Sequence, residues 1–506
     1  MYKATQDKVT RSGLTIPSPS PSGQIADTGG QAAEMTSEDK GLAGISGGPV
    51  RARLTFDLDV DMCVVGAGLA GLTVALEAAR MGATVALLES HSVGWNASST
   101  NIGAVMPGFG VPVAELIERV GLDDTRELWK LAQEGADYMR ATAGAMPDMP
   151  LTEGALEVST VDAGDKLISR LQTLGGDLGT EVEGWQTERV RETLATQRYF
   201  HAIHYPKAFQ IDAQKYVRGL AALCEAAGVR IFEDTPVVSI DPAGVRKRVI
   251  TPSARLRCSN IVLAGNVHLG SPARRLNATL LPTWRYAALT APLGEKLREA
   301  VSFAGAVSDT DGIDHYRIVD GDRLLWSSFE TTWQANPKRF SRAIKKRIEQ
   351  TFPQLGKIEI ADMRSGVYGQ TVHGMPQIGA LRPGLWVASG FGRQGLNTSA
   401  MGGQLAARSI LWGDDRWKLF SPFELVWAGG TAGRVAGQAF FAWTRQRAKA
   451  SGAVSRYRER ARAREVARDR AREQRMAAAN ARVQADRERA AAAMQQQREN
   501  ERADGH

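Results

Sequence analysis

Asp61 to Ala104 reads DMCVVGAGLAGLTVALEAARMGATVALLESHSVGWNASSTNIGA. Val60, Met62, Cys63, Val64 and Val65 make an apolar run too short for a helix and suited to a parallel strand buried on both faces. The turn Gly66-Ala67-Gly68-Leu69-Ala70-Gly71 follows at once. Gly66 allows a tight turn, Gly68 lets a pyrophosphate approach the backbone, and Gly71 lets the next helix lie close to the strand. That helix is expected from Leu69 to Arg80, with its amides and positive dipole end favouring a diphosphate, and Gly82 stops it. A second buried strand, Thr84 to Leu88, ends in Glu89 and Ser90. An acid there accepts ribose hydroxyls and disfavours a 2′-phosphate, so NADP is not expected. Strand, glycines, helix, strand and terminal acid in one unit specify far more than the glycines alone.

The continuation separates FAD from NAD. Trp95-Asn96-Ala97-Ser98-Ser99-Thr100-Asn101-Ile102-Gly103-Ala104 resembles the G-A-S-x-x-N-x-G segment of the D-amino-acid-oxidase-like superfamily of FAD-dependent amine oxidoreductases. Within it the sequence is most similar to γ-glutamylputrescine oxidase-like enzymes. Small hydroxyl and glycine residues suit a backbone packed against a diphosphate and a flat ring system.

A second block carries the same resemblance. Pro376-Gln377-Ile378-Gly379, the strand Leu385 to Ser389, the loop Gly390-Phe391-Gly392-Arg393-Gln394-Gly395-Leu396-Asn397 and a helix to Leu411 look like the family's T-x-D-x-x-P-x-I-G and S-G-F-x-x-x-G segments. The resemblance implies that the loop passes under the pyrimidine edge of the flavin and that the helix N-terminus stabilises negative charge there. Val237, whose backbone would meet the adenine edge, and the strand ending at Ala264 and Gly265 are placed in the cofactor site in the same way. Asn101 stands where some relatives carry a flavin-linked His, and no Cys lies near the C-terminal block, so FAD is expected to be noncovalent.

Departures from the pattern bear on the substrate. His373 stands where the family usually has Asp, Arg364 where many members have Trp, and Gln394 where His is common. Amino-acid-oxidising relatives clamp the α-carboxylate with an Arg at the position of Tyr368. Without it an amine or polyamine derivative is favoured, although Arg364 or Arg317 could supply the clamp from elsewhere. Tyr316 and Arg317 match a region where related oxidases present Tyr and Arg to substrate. Strand alternation puts His315 and Arg317 on one face and Tyr316 on the other, so they cannot all line one pocket.

With 506 residues and 43% hydrophobic content the chain can hold two packed domains plus tails. Cys63, Cys224 and Cys258 have no C-x-x-C spacing and read as free thiols in a reducing compartment. No metal-ligand cluster is expected. Residues 1–56, rich in Ser, Gly, Pro and Thr, read as a disordered leader without signal-peptide character, so the expected location is cytoplasmic. Residues 451–506 form an Arg/Ala-rich helical or disordered tail, which carries most of the net charge of +8. Neither aromatics nor a folded reader accompany that charge, so no nucleic-acid partner is expected.

Between the tails, the fold class expected is α/β (α+β): a Rossmann-type FAD-binding domain with a central parallel sheet, interleaved with an antiparallel-sheet substrate domain. The cofactor domain is expected in three pieces, 57–110, 205–280 and 370–450, and the substrate domain in two, 111–204 and 281–369. Pro112 to Gly144 reads as two helices, and Ile313 to Phe329 as a hairpin turning at Gly321-Asp322.

The reaction implied is oxidation of a C–H beside an amine nitrogen by hydride transfer to flavin N5. Hydrolysis of the imine then gives aldehyde or ketone, and electrons pass to oxygen or a quinone. Three alternatives stay open. One is a D-amino-acid or sarcosine/glycine-type dehydrogenase. Another is peripheral membrane contact through 412–447, a segment rich in Trp and Phe. The third is a non-enzymatic FAD-containing scaffold.

Overall fold

The computed structural model describes residues 50–503. The first 49 residues of the expected leader lie outside them, but within Arg51 to Phe56 two residues are anchored on the body. Arg51 pairs with Glu225 at 2.7 Å, and the fully buried Leu54 donates its N–H to Thr235. The composition of the leader is low in apolar residues, yet one leucine and one arginine with a fixed partner suffice to order its end.

Five of the longer helices are α1 (Leu69–Arg80), α2 (Val113–Gly144), α3 (Ala213–Ala226), α4 (Gly395–Trp412) and α5 (Gly430–Ala503). Two sheets complete the frame. The first runs in the order Gln377–Arg382, Leu385–Ser389, Arg255–Leu263, Leu58–Val65, Val85–Leu88, Arg230–Phe232. Its last five strands are mutually parallel, with Val65 in register between Leu263 and Leu88. Parallel strands need both faces covered, and the sequence supplies this: Met62, Cys63 and Val64 have no exposed surface. α1, α3 and α4 cover one face, and α4 buries residues all round its circumference. The three cysteines are buried free thiols.

The second sheet runs Ile360–Gln370, Leu281–Thr290, Arg323–Thr331, His315–Val319, Ala306–Asp309, Thr152–Val158, Ala202–Gln210, Ala104–Val105. The expected hairpin is present, with His315 opposite Ser327 and Val319 opposite Arg323. The sheet is antiparallel except at one joint, where Ala306–Asp309 runs parallel to Thr152–Val158. Long segments separate those two strands in the chain, so no tight turn fixes their direction. Behind the sheet, Tyr316, Trp326, Phe352 and Ile348 form a second apolar core.

Pro112 to Gly144 is broken at Gly121, whose φ of 82° and ψ of 169° are not helical, which gives the two helices expected there. Their apolar face, Leu116, Leu128, Leu131 and Met139, joins the core around α1 and α4 rather than the core behind the second sheet. α5 is 74 residues long, and beyond about residue 463 its described side chains are exposed. Among the described residues no helix is long and apolar enough to cross a membrane.

Candidate active site

One cavity of about 1750 Å³ runs between the two sheets. Its first end is the glycine turn. Gly66 has φ +107°, and a Cβ there would stand 2.8 Å from Gly265 Cα. A Cβ on Gly71 would stand 1.9 Å from the carbonyl oxygen of Gly66, so α1 can approach the strand only because both residues are glycine. At Gly68 the side toward the cavity is open apart from Ser98 Oγ at 3.1 Å. α1 starts at this residue with no side-chain cap and no acid in its first turn. Of its leading amides, Ala67 N–H donates to Glu89 Oε2 (2.8 Å) and Leu69 N–H to Ser98 Oγ (3.1 Å). Glu89 also accepts the His91 N–H (2.9 Å), which fixes the carboxylate at the cavity edge.

Of the expected cofactor residues, Gly66, Gly68, Leu69, Ala70, Glu89, Ser90, Ala97, Ser98, Asn101, Val237, Ala264 and Gly265 line this end. Ala67, Gly71 and Ser99 lie behind the lining, and Gly71 acts through the close approach just described. His91 stacks on Trp95 at 4.0 Å between centroids, and His268 tilts against the same ring at 5.2 Å. Burial, with His91 nearby, lowers the pKa of His268 to about 4, so the ring is neutral. Trp95 and His268 line the cavity here with His91 stacked behind Trp95, and none of the three was among the expected cofactor residues. Their signal is two histidines and a tryptophan flanking the glycine strands.

The other end is built by the loop before α4. Phe391, Gly392, Arg393, Gln394, Gly395 and Leu396 line it. Gly390 turns away with φ +67°. Asn397 is buried and donates to Gly108 O (2.9 Å), tying the start of α4 to the loop before α2. His373, at the usual Asp position, takes the Met375 N–H on Nδ1 (3.1 Å), a bond a carboxylate there could also accept.

Facing the loop, the second sheet presents a charged cluster. Glu330 accepts from Arg285 Nη1 (2.8 Å), Arg393 Nε (3.1 Å) and the Tyr368 hydroxyl (2.7 Å), with a further short bond from Arg393 Nη2. Burial alone would raise the pKa of Glu330, but Arg393 and Arg285 overcome it and hold the carboxyl at about 2. Burial, then the adjacent Glu330, pushes the Tyr368 phenol up. His315 is kept neutral down to about pH 3 by burial and then by the two arginines. Two guanidiniums therefore share one carboxylate, and the cluster keeps a surplus positive charge beside the cavity.

Tyr368 is the one of the four substrate candidates that lines the cavity. Tyr316 is 1% exposed and stacks on Trp326 at 4.3 Å in the core behind the sheet, because alternation sends it to the face opposite His315. Arg317 lies beside Gly103, outside the lining. Arg364 pairs with Asp362 at 2.8 Å near the surface. The sequence reading thus missed Arg285 and Glu330, although Arg285 is the one charge in its strand and Glu330 the one acid in its own.

The open glycine cradle, the uncapped helix start, the fixed carboxylate and the loop leading into α4 together fit a flavin adenine dinucleotide, with the dinucleotide at the first end and the ring at the second. Comparison with known proteins agrees. The profile of the family described as FAD dependent oxidoreductase (DAO) matches residues 61–409. The γ-glutamylputrescine oxidoreductase of Escherichia coli is 25% identical over 379 residues, covering 73% of this chain and 87% of its own. A probable oxidoreductase, OrdL, of Haemophilus influenzae is 27% identical over 375 residues, 72% of this chain and 86% of its own. Among solved structures, glycine oxidase from Geobacillus kaustophilus superposes with a TM-score of 0.61 at 21% identity, covering 73% of this chain and 99% of that one. The chain belongs to the DAO family of FAD-dependent oxidoreductases and is an enzyme of the amine and amino-acid oxidising type.

Proposed function

We propose that this enzyme oxidises the C–N bond of a primary or secondary amine that also bears a carboxylate, releasing an aldehyde or ketone once water has hydrolysed the imine. The observation that carries the reading is the surplus guanidinium of the Arg285–Glu330–Arg393 cluster, set in the wall beside the loop before α4. A buried charge surplus is costly unless a counter-charge arrives, and a substrate carboxylate supplies one. γ-Glutamylputrescine, acted on by the Escherichia coli relative as its name states, has both groups. So do N-substituted glycines.

FAD, held noncovalently, supplies the hydride acceptor. Glu89 and the amides at the start of α1 hold the ribose and diphosphate. The N-terminal end of α4 favours negative charge at the far end of the cavity. His315 is neutral and Glu330 is occupied by three donors, so neither takes a proton, and orientation in a dry pocket provides most of the rate. Oxygen or a quinone takes the electrons.

The second reading, a glycine- or sarcosine-type dehydrogenase, is favoured by the same cluster, since Arg393 and Arg285 supply the guanidinium missing at Tyr368. Steady-state assay of an amine panel, with peroxide and dye reduction both followed, tests the proposal. Carboxylate-bearing amines are expected to exceed putrescine and other amines without a carboxylate by at least tenfold in kcat/KM. Equal turnover of both groups would remove the role given to the cluster.

A further inference from the structure

The family match stops at residue 409, but the cavity wall does not. The first turns of α5 lie along the second sheet and are seated by specific bonds. Thr332 donates its N–H to Gln438 Oε1 (3.0 Å) and its hydroxyl to Arg434 O (2.8 Å). Gly437 sits flush on the strand below, where a Cβ would be 2.9 Å from Leu281 Cδ2. Further along, Arg462 of α5 meets Asp162 at 3.2 Å and Glu459 meets Arg191 at 3.1 Å. The helix is thus fixed at two places on the body, with the cavity in reach of the first.

Phe440, Phe441, Thr444 and Arg447 of this helix line the cavity. Phe441 is 5% exposed, whereas Phe440 is 56% exposed and forms the rim. Phe441, Thr444 and Arg445 also share a void of only about 20 Å³ with Arg285, Glu330 and Arg393, so α5 stands directly over the charged cluster. Arg447 leans over Trp443 at 4.9 Å and reaches Asp311 only at 3.7 Å. The surface offered to the cavity by Phe440, Phe441 and the Thr444 methyl is apolar.

We infer that the first turns of α5 are the outer wall of the substrate cavity and select the substrate: the carboxylate-bearing amine carries an apolar substituent, alkyl chain or aromatic ring, that packs against Phe440, Phe441 and Thr444. The assignment deepens the amine reading of this cavity and rests on it. An apolar group of ring size buried on such a wall is worth roughly one to two powers of ten in affinity.

The test is calorimetric titration of the FAD-loaded enzyme with two unreactive carboxylates, acetate and 3-phenylpropionate. The unsubstituted enzyme is expected to prefer 3-phenylpropionate by at least tenfold in Kd. Phe440→Ala is expected to reduce that preference at least fivefold. Thr444→Trp, which fills the space instead of emptying it, is expected to abolish it while acetate still binds. Val435→Ala, exposed on the same helix and outside the lining, serves as control and is expected to keep the preference within twofold. Thermal unfolding confirms that each variant is folded. An unchanged preference in both wall variants, or an equal loss in the control, overturns the assignment. Because binding is read without turnover, a wall that behaves as expected in an enzyme whose flavin no amine reduces would overturn the amine reading alone.

Discussion

Gly71 shows how little room the cofactor turn has, since any side chain there meets the Gly66 carbonyl at 1.9 Å. Gly71→Ala must push α1 off the strand, and the expected result is protein that folds poorly or carries no FAD, read from the flavin absorbance of the purified chain. Glu330 poses the opposite problem, a buried anion kept by its partners. Glu330→Gln leaves two guanidiniums without a counter-charge and is expected to cost about 3–5 kcal/mol in chemical denaturation. The sign of its pH effect follows from its carboxyl being held at about 2 against 4.5 for a free carboxyl. The stabilisation is complete above pH 4.5 and is lost as pH falls toward 2, so the variant should lack that acid limb. These two residues also differ in how far sequence reveals them. The glycines answer to local backbone chemistry and are legible in a dozen residues. Arg285, Glu330 and Arg393 come from two strands and a loop, and no spacing in the chain announces that they share one bond network. Tyr316 lies between: alternation separated it correctly from His315, but which face looks into the cavity is decided by what packs behind the sheet.

At the scale of elements, α2 and α4 meet at Gly135, where a Cβ would lie 2.2 Å from Asn397 O and 2.8 Å from Met401 Cβ. Gly135→Ala is expected to destabilise the protein by about 1–3 kcal/mol through overpacking. Because Asn397 lies in the first turn of α4 beside the second end of the cavity, where the flavin ring is proposed to sit, the same variant should also weaken FAD binding, measured by titration of the apoprotein. The apolar spacing in Pro112 to Gly144 announced helices, and Gly121 explains why there are two. Their partner was not announced, because an amphipathic face states that it must be covered and not by what. α5 repeats the point. Its Arg and Ala content foretold a helix in the tail, but the value of its first turns lies in a seat on Thr332 and Leu281, more than a hundred residues earlier.

For the molecule as a whole, charge and function are separate. α5 carries 18 Arg and Lys against 8 acids, and its described side chains beyond the bonds of Glu459 and Arg462 with the body are exposed. Removing residues 465–506 is expected to shift Tm by less than about 2 °C, since few buried contacts are lost. Acid acts on the body instead. His268 is neutral down to about pH 4 and His315 to about pH 3, both chiefly through burial. The unfolded chain takes up those protons near the ordinary value of 6.5, so stability should fall as pH drops below 6.5. A fall of Tm by several degrees between pH 7 and pH 5 is the expected outcome of scanning calorimetry. The parallel strands around the glycine turn were legible because each follows from short-range pattern, but their order and the antiparallel strands Gln377–Arg382 and Lys247–Ile250 beside them were not. The single parallel joint in the second sheet was not, since it pairs strands that no turn connects.

The most direct measurement of the account is anaerobic mixing of the purified yellow enzyme with a carboxylate-bearing amine while visible flavin absorbance is followed in a stopped-flow instrument. Loss of the oxidised flavin band in one exponential, at a rate that saturates with amine concentration and is at least tenfold slower in Arg393→Ala, is the result predicted. A band that persists with every amine offered, or one that bleaches equally fast in the variant, would contradict it.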